Sequence, residues 1–305
     1  MAVCIIAVVM HIATCDAQVN LVINPGFEEV NSCPDNAGQL NYAVGWSTPL
    51  IGGAGNPELY HTCCTQPSMC GIPLNCNNYS FQFSHSGEGY AGIDVLFSYY
   101  IDDWREYIQT KLTGKLIAGH TYCVRLYCSL SDQCRSYITS LGIYFDNGDV
   151  SPPSPHGLAP VSPQILNTLQ PLSDTINWME IEGSFVATGT EEYLTIGNFS
   201  PDSTSGIGFF GTPSSWVSYY YIDDVSVIDI NQPAFAGNDT FIHPGDSAFI
   251  GRTPEVGLND DCIWSVNGSP IDTIAGMWVK PDSTTTYFLE QTICGNVSYD
   301  TVTIY

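Results

Sequence analysis

The stretch REYIQTKLTGKLIAGHTYCVRLYCSLSD, from Arg105 to Asp132, shows the pattern that decides the fold. Two runs within it, REYIQTKL and TYCVRLYCSL, alternate their side chains in the way typical of β-strands with one buried face. Similar short runs recur along the chain, each bounded by Gly, Pro, Asn or Ser, and no convincing amphipathic helix interrupts them. The sequence therefore predicts an all-β protein built as a sandwich or jelly roll.

The balance of charge limits the partners of the protein. The chain of 305 residues carries 31 acidic and only 7 basic residues, which gives a formal net charge of −24. Such a surface repels phosphate backbones and anionic lipid, and it lacks the basic stripe that nucleic-acid binding requires. Nucleic acid is therefore excluded as a partner, whereas divalent cations would be attracted.

The N-terminal stretch MAVCIIAVVMHIATCDA has the composition of an export signal. Its apolar run ends in small residues and is too short to span a membrane comfortably. We expect a signal peptide over residues 1–17, with lipidation at Cys15 as the weaker alternative. No other apolar stretch is long enough to cross a bilayer. The mature chain is therefore expected to lack a transmembrane segment and to be secreted or displayed at the cell surface.

The alternating pattern divides the mature chain into two expected domains. Residues 18–230 contain the jelly-roll runs, and the pattern restarts at INQPAFAGNDT. Residues 231–305 have the size of one small immunoglobulin-like sandwich. In this second domain Cys262, Trp264 and Val266 share one face of a predicted strand, so Trp264 is expected to be a core residue.

Export makes disulfides the expected state of the cysteines. Ten of the 12 cysteines, an even number, remain after the predicted signal peptide. The C-x-x-C spacing of structural zinc sites is absent, which makes zinc the weaker alternative. Cys262 and Cys294 are the only cysteines of the second domain and are expected to pair, whereas the connectivity of the first domain is left open. The cysteines expected in disulfides are Cys64, Cys70, Cys76, Cys128, Cys134, Cys262 and Cys294.

Nothing in the sequence indicates catalysis. The chain has no G-x-S-x-G nucleophile elbow, no H-E-x-x-H motif and no glycine-rich phosphate loop. Its carboxylate doublets place neighbouring residues on opposite faces of a strand, so they do not supply the facing pair that glycoside hydrolysis needs. We therefore predict that the protein is not an enzyme.

The segment FSYYIDDWRE, residues 97–106, is the best candidate for sugar binding. Aromatic rings stack on the CH faces of pyranose rings, while neighbouring polar groups hydrogen-bond the hydroxyls. This mixture of rings and charges would not be tolerated whole in a core, and a plain loop is the alternative. The candidate ligand residues are Tyr99, Tyr100, Asp102, Trp104 and Arg105.

Acidic residues stand at both ends of the first domain. NPGFEE opens it and YYYIDDVSV closes it, so first and last strands that neighbour each other would bring Glu28 or Glu29 toward Asp223 or Asp224. Clustered carboxylate oxygens are ligands that calcium prefers. The alternative is that these acids are solvated at strand ends or cap a turn.

Seven ordered motifs from Asn20 to Val227, among them NLVINPGFEEVNSCP, GYAGIDV and YYYIDDVSV, resemble the N-terminal β-sandwich of exported surface proteins of gliding bacteria and their relatives. In that family immunoglobulin-like or PKD-like repeats follow, and then an OmpA-like or type IX secretion sorting domain; residues 231–305 resemble such a repeat. More distantly, the first domain resembles the galactose-binding-like jelly rolls of carbohydrate-binding modules. That second resemblance implies a structural calcium held by Glu28 with Asp223 or Asp224.

The resemblance to gliding bacteria also implies O-glycosylation. Such bacteria attach O-glycans at Asp-Ser or Asp-Thr followed by an apolar residue or Thr, and the chain contains several triplets of this kind. The acceptors would be Thr175, Ser247, Thr273, Ser283 and Thr301.

These observations together predict a secreted cell-surface binding or adhesion protein that recognises carbohydrate. The jelly roll would be the recognition module, with a glycan or another surface protein as its partner. Structural calcium is the expected cofactor, and no organic cofactor is expected. The alternative is a structural subunit of an extracellular envelope, matrix or filament that associates with itself.

Overall fold

A computed structural model describes residues 17–49, 56–75, 80–97, 103–150, 156–211, 217–259 and 261–305. The helices within them are short: α1 spans Pro67–Cys70, and 3-10 turns span Leu40–Tyr42 and Asp202–Thr204. The predicted all-β class is confirmed. Numbered along the chain, the strands are β1 (Trp46–Ser47), β2 (Glu58–His61), β3 (Leu74–Asn75), β4 (Ser80–Phe81), β5 (Gly89–Phe97), β6 (Tyr107–Lys111), β7 (Thr121–Leu130), β8 (Ser136–Tyr137), β9 (Gly142–Asp146), β10 (Ile165–Leu166), β11 (Met179–Val186), β12 (Tyr193–Gly197), β13 (Gly208–Phe209), β14 (Val217–Asp229), β15 (Ala248–Gly251), β16 (Cys262–Val266), β17 (Ser269–Asp272), β18 (Gly276–Val279), β19 (Thr285–Ile293) and β20 (Asn296–Ile304).

Two five-stranded antiparallel sheets form the first sandwich. The first sheet has the order β1-β6-β12-β9-β10, and the second has the order β11-β7-β14-β5-β2. One hydrophobic cluster takes side chains from both sheets, such as Ile108 and Ile196 from the first and Ile93 and Leu126 from the second. The runs REYIQTKL and TYCVRLYCSL thus become β6 and β7, which lie in opposite sheets and bury their apolar faces against one another.

The closing strand β14 shows how the two faces of the second sheet differ. Tyr220 points into the core between the sheets, while Tyr221 joins Tyr60 and Tyr90 in a separate aromatic cluster on the outer face. The segment that contains β3 and β4 covers this cluster, and the Ser80 hydroxyl lies 2.5 Å from the Tyr221 hydroxyl. Part of the outer face is therefore buried, and the remainder stays open.

A bulge breaks the register of β14 between Asp223 and Ser226, where Asp224 has a positive φ of 47°. Such bulges change the direction of side chains at the end of a strand. Next to the bulge the amide of Val225 donates to the carbonyl oxygen of Pro25 at 3.0 Å. The first and last segments of the sandwich therefore meet here, which is the condition under which the sequence brings the acids of the two ends together.

Strands β15 to β20 form two further sheets around a second hydrophobic cluster. β15 pairs with β18, and the other four have the order β17-β16-β19-β20. Trp264 is fully buried in this cluster, and its indole N–H donates to the carbonyl oxygen of Ile274 at 2.8 Å. The predicted core position of Trp264 is confirmed.

The disulfides of the structure contradict one pair that the sequence predicts. The bridges are Cys33–Cys63, Cys64–Cys70 and Cys123–Cys294. The expected pair of Cys262 with Cys294 is wrong, because Cys294 lies at the turn between β19 and β20 and faces β7 of the first sandwich. Cys262 instead points into the hydrophobic cluster of the C-terminal sheets.

The remaining predicted cysteines lie in three different places. Cys128 is on the inward face of β7, where burial raises the pKa of its thiol, and it has no disulfide partner within the described ranges. The sulfur of Cys134 accepts a hydrogen bond from the amide of Tyr219 at 3.2 Å. Cys76 lies outside the described residues.

Candidate ligand-binding site

Aromatic side chains gather on the open part of the second sheet's outer face, beside β7. The imidazole of His85 stacks on the ring of Tyr127, with centroids 3.7 Å apart and an interplanar angle of 14°. Trp178, just before β11, meets His85 edge-on with its centroid 6.0 Å away. Arg125 lies on the same face as Tyr127, because residues two apart on a strand share a face. We define the junction face as His85, Arg125, Tyr127 and Trp178.

Two carboxylates hold the guanidinium of Arg125. Its Nε lies 2.6 Å from Glu180 Oε1, and its Nη2 lies 2.6 Å from Glu182 Oε2. Both acids project from β11, whose register places Glu182 opposite Arg125 and Glu180 opposite Tyr127. The junction face therefore offers rings and hydrogen-bonding groups without an excess of positive charge.

A cavity of about 200 Å³ lies beside the junction face. His85, Tyr127 and Asp224 line one side of it, and Gly257 and Asn259 from the loop before β16 line the other. Gly257 has a φ of +81°, and a Cβ on it would meet the first sandwich at only 2.5 Å, so glycine permits the close approach of this loop. The walls of the cavity thus come from both parts of the chain.

The three predicted metal ligands converge on Gly26. A Cβ on Gly26 would lie 3.2 Å from Asp224 Oδ1, 3.4 Å from Glu28 Oε1 and 3.7 Å from Asp223 Oδ1. Asp224 also connects this cluster to the junction face, since its Oδ2 lies 2.5 Å from Nδ1 of His85. The structure therefore brings together the acids from the two ends of the first sandwich.

Asp223 is completely buried. Burial first, and then the charge of Asp224, raises the pKa of Asp223 well above its ordinary value. Its carboxylate accepts hydrogen bonds from the amides of His85 at 2.8 Å and Asp224 at 2.7 Å. Burial also raises the pKa of Glu28, whose carboxylate accepts a hydrogen bond from the amide of Glu88 at 2.7 Å.

The residues around Gly26 fit calcium in type. All three supply oxygen ligands, and a hard cation would offset the repulsion between the adjacent charges of Asp223 and Asp224. The three carboxylates are too far apart to share an ion as they stand. No set of one oxygen from each acid has all its members within 4.8 Å of one another. Ion binding would therefore require these side chains to move closer together.

The structure contradicts the ligand role predicted for Arg105. This side chain is fully buried, and its Nη2 donates to the carbonyl oxygen of Ser200 and to Asp202 Oδ1, both at 2.7 Å. Trp104 is half-buried, and its ring stacks on that of His156 with centroids 4.1 Å apart. The other predicted ligand residues, Tyr99, Tyr100 and Asp102, lie outside the described residues.

A second acidic cluster lies on the second sheet where β2 and β5 pair. The Tyr219 hydroxyl donates to Glu58 Oε2 at 2.6 Å, and the amide of Asp94 donates to Glu106 Oε2 at 3.0 Å. Burial first, and then the charge of Glu106, raises the pKa of Asp94 to about 8. The same two causes, in the same order, raise the pKa of Glu58. Asp94 therefore holds its proton more tightly than an exposed aspartate does.

The predicted O-glycosylation acceptors differ in exposure. Thr175 is half-buried. Attachment of a glycan requires an accessible hydroxyl, so modification of the exposed acceptors stays a prediction. The exposed acceptors are Ser247, Thr273, Ser283 and Thr301.

The sequence analysis missed the junction face. A signal existed for two of its members, because Arg125 and Tyr127 alternate with Val124 and Leu126 and so mark a polar and aromatic face of one strand. His85 joins them only through the fold, and no local pattern connects it to β7.

The strands and the site define an all-β sandwich protein with a ring-lined cavity. Its architecture is similar to that of the CBM22-1 xylan-binding domain from Paenibacillus barcinonensis Xyn10C, with a TM-score of 0.36 and 12% identity over 67% of this chain and 90% of that one. The K1 cleaved adhesin domain of Lys-gingipain from Porphyromonas gingivalis W83 has a TM-score of 0.34 and 12% identity over 70% and 98% of the two chains. The adhesin domain of Epf from Streptococcus pyogenes has a TM-score of 0.29 and 11% identity over 95% and 99%. No protein-family model and no curated protein sequence matches the chain.

Proposed function

We propose that the chain is a non-catalytic carbohydrate-binding protein of the cell surface, and that it binds glycans at the junction face. The observation that carries this proposal is the stacked pair of His85 and Tyr127 beside a cavity of about 200 Å³. Aromatic rings present apolar surface to the CH groups of sugars, and the neighbouring Arg125 and Asp224 provide hydrogen bonds for hydroxyl groups. The cavity has room for part of a glycan chain, not for the whole of it.

The charges around the junction face favour a neutral glycan. Glu180 and Glu182 balance the charge of Arg125, and Asp224 adds a carboxylate at the cavity. The formal net charge of −24 would repel an anionic glycan before contact. A neutral oligosaccharide meets neither source of repulsion.

A secreted location is part of the same proposal. It is supported by the composition of residues 1–17 and by the disulfides, which persist in oxidising compartments. Among the described residues, no helix is long and apolar enough to cross a membrane. We also propose domains at 18–230 and 231–305, which their separate hydrophobic clusters support.

Replacing Tyr127 with alanine is expected to weaken glycan binding about fivefold or more, because a ring at the centre of a binding site typically contributes more than ~1 kcal/mol. A glycan array identifies the oligosaccharides that the wild-type protein retains, and isothermal titration calorimetry then measures Kd for the strongest of them. Tyr299→Ala removes an exposed ring on β20 and is the matched control, with Kd expected to stay unchanged.

Two results would contradict this assignment. An array that retains no folded wild-type protein would reject carbohydrate binding, and ordered assembly of the same preparation would then favour the structural-subunit alternative. Binding that is lost in Trp104→Ala and retained in Tyr127→Ala would place the site at residues 97–106 instead.

We further propose that Glu28, Asp223 and Asp224 hold a structural calcium ion. Their convergence on Gly26 supports this, as does the burial of two adjacent carboxylates. Calcium at 100 times its Kd is expected to raise the melting temperature by about 5–10 °C over the chelated protein, since ligand at that concentration stabilises by about 2.7 kcal/mol.

Asp223→Asn tests whether this carboxylate binds the ion, through the effect of calcium on the melting temperature. The variant should lose the response to calcium, because its side-chain amide lacks the negative charge that binds the ion and turns an NH2 group toward one of the amides that donate to Asp223. Asp282→Asn, at an exposed position, is the control and should respond to calcium as the wild type does. Identical melting of wild-type protein with calcium and with chelator would remove these residues from the site.

A further inference from the structure

The Cys123–Cys294 disulfide connects distant parts of the chain. Cys123 lies in β7 of the first sandwich, and Cys294 lies at the turn between β19 and β20, 171 residues later. Cys294 and Gly295 have positive φ values of 47° and 70°, which build a tight hairpin turn. The bridge therefore fastens the tip of this hairpin to the first sandwich.

The bridge lies inside a packed contact. The amide nitrogen of the Asn20 side chain donates to the carbonyl oxygen of Val256 at 3.2 Å, and that of Asn296 donates to Ile230 at 3.1 Å. These contacts hold the two parts of the chain together on both sides of the disulfide. Cys123 is buried here in a hydrophobic cluster with Ile228, Leu258 and Ile293.

The position of the bridge sets the covalent path between the ends of the chain. Tension applied at Gln18 and Tyr305 runs along the chain to Cys123, crosses the two sulfur atoms and continues from Cys294 along β20. Residues 124–293 form a closed loop outside this path, so the backbone within the loop is not pulled. The last part of this path is β20, which pairs with β19 over nine residues.

We propose that the Cys123–Cys294 bridge is a covalent shortcut for applied force, which limits the extension of the protein under tension and delivers force directly to β7. The pair Cys262–Cys294 would have had no such effect, because it would have closed a loop within the C-terminal sheets alone. β7 also carries Arg125 and Tyr127, so the shortcut joins the junction face to the C-terminal strand. The mechanical role does not depend on the identity of any ligand and goes beyond the proposed function.

Single-molecule force spectroscopy of the chain from Gln18 to Tyr305, with handles at these two residues, tests this proposal. Unfolding of the wild-type protein should release less chain than the sequence contains, by the lengths enclosed in its disulfide loops, of which the Cys123–Cys294 loop is by far the longest. A separation of 171 residues corresponds to about 600 Å of extended chain. The double variant Cys123→Ser, Cys294→Ser should extend by that additional length.

The other two disulfides provide matched controls. Cys64 and Cys70 are separated by 6 residues, so replacing both with serine should release only about 20 Å. Cys33 and Cys63 are separated by 30 residues, and their replacement should release about 100 Å. The additional extension should therefore follow the sequence separation of the bridge that is removed.

Wild-type protein that extends to its full contour length would overturn the proposal, because the bridge would then not carry the load. This measurement requires no variant, so it decides the question even if the double cysteine variant does not fold. A folded double variant that extends no further than the wild type would overturn the proposal as well. A glycan array without retained ligand would reject carbohydrate binding and leave these extension lengths unchanged.

Discussion

Replacing Arg105 with methionine is expected to lower the free energy of unfolding by about 3–5 kcal/mol, the range for breaking a buried charge pair. The guanidinium donates to the carbonyl oxygens of Trp104 and Ser200 and to the carboxylate of Asp202. Methionine fills much of the same volume, but it leaves these acceptors without a donor in the interior of the protein. The effect is large because Arg105 holds the segment before β6 against the segment after β12.

Urea denaturation of the wild-type protein and of Arg105→Met measures this difference. Arg135→Met is the matched control, because Arg135 is exposed and its replacement is expected to change stability by less than about 0.5 kcal/mol. A loss below about 1 kcal/mol for Arg105→Met, together with weaker glycan binding, would restore the ligand role that the sequence predicts for Arg105.

Raising the pH from about 4 to 8 is expected to destabilise the protein, in part through Asp94. The pKa of Asp94 is about 8 in the folded protein, against an ordinary value of 3.8. The folded protein therefore binds the proton of this carboxyl more tightly than the unfolded chain does. The protonated carboxyl of Asp94 therefore stabilises the folded protein fully below about pH 4, and this contribution is lost as the pH rises through 8.

Asp94→Asn removes this titration and is expected to raise the melting temperature at pH 8 by several degrees, equivalent to about 1–2 kcal/mol. We expect no larger change in stability because Asp94 is half-buried, and its contact with solvent weakens the interactions of its charge. Thermal unfolding at pH 4 and 8 measures it, and at pH 4 the variant should resemble the wild type. Some dependence on pH should remain, because burial also raises the pKa of Glu58 and Asp223.

The exposed Asp149→Asn is the control for this series and should follow the wild type at both pH values. If Asp94→Asn showed the same fall in melting temperature between pH 4 and 8 as the wild type, the carboxyl of Asp94 would not be a source of the pH dependence.

Two parts of the site differ in how far the sequence could predict them. The meeting of Glu28 with Asp223 and Asp224 was predictable, because the first and last segments of such a sandwich lie side by side. The burial of Arg105 was not, because its partner Asp202 comes 97 residues later and only the fold brings the two together. The mixed composition of residues 97–106 predicts exposure, whereas in the structure the charge of Arg105 is neutralised by Asp202 inside the protein.

The sequence by itself determined the all-β class, the sandwich architecture and the core position of Trp264. These follow from alternation along single strands, which is a local property of the chain. Only the tertiary structure decided the partner of Cys294 and the composition of the junction face. A disulfide across 171 residues depends on which strands become neighbours in space, and no spacing pattern within one strand contains that information. The alternation in TYCVRLYCSL predicted β7 as a strand, and the fold then placed Cys123, Arg125 and Tyr127 where that strand meets the C-terminal sheets.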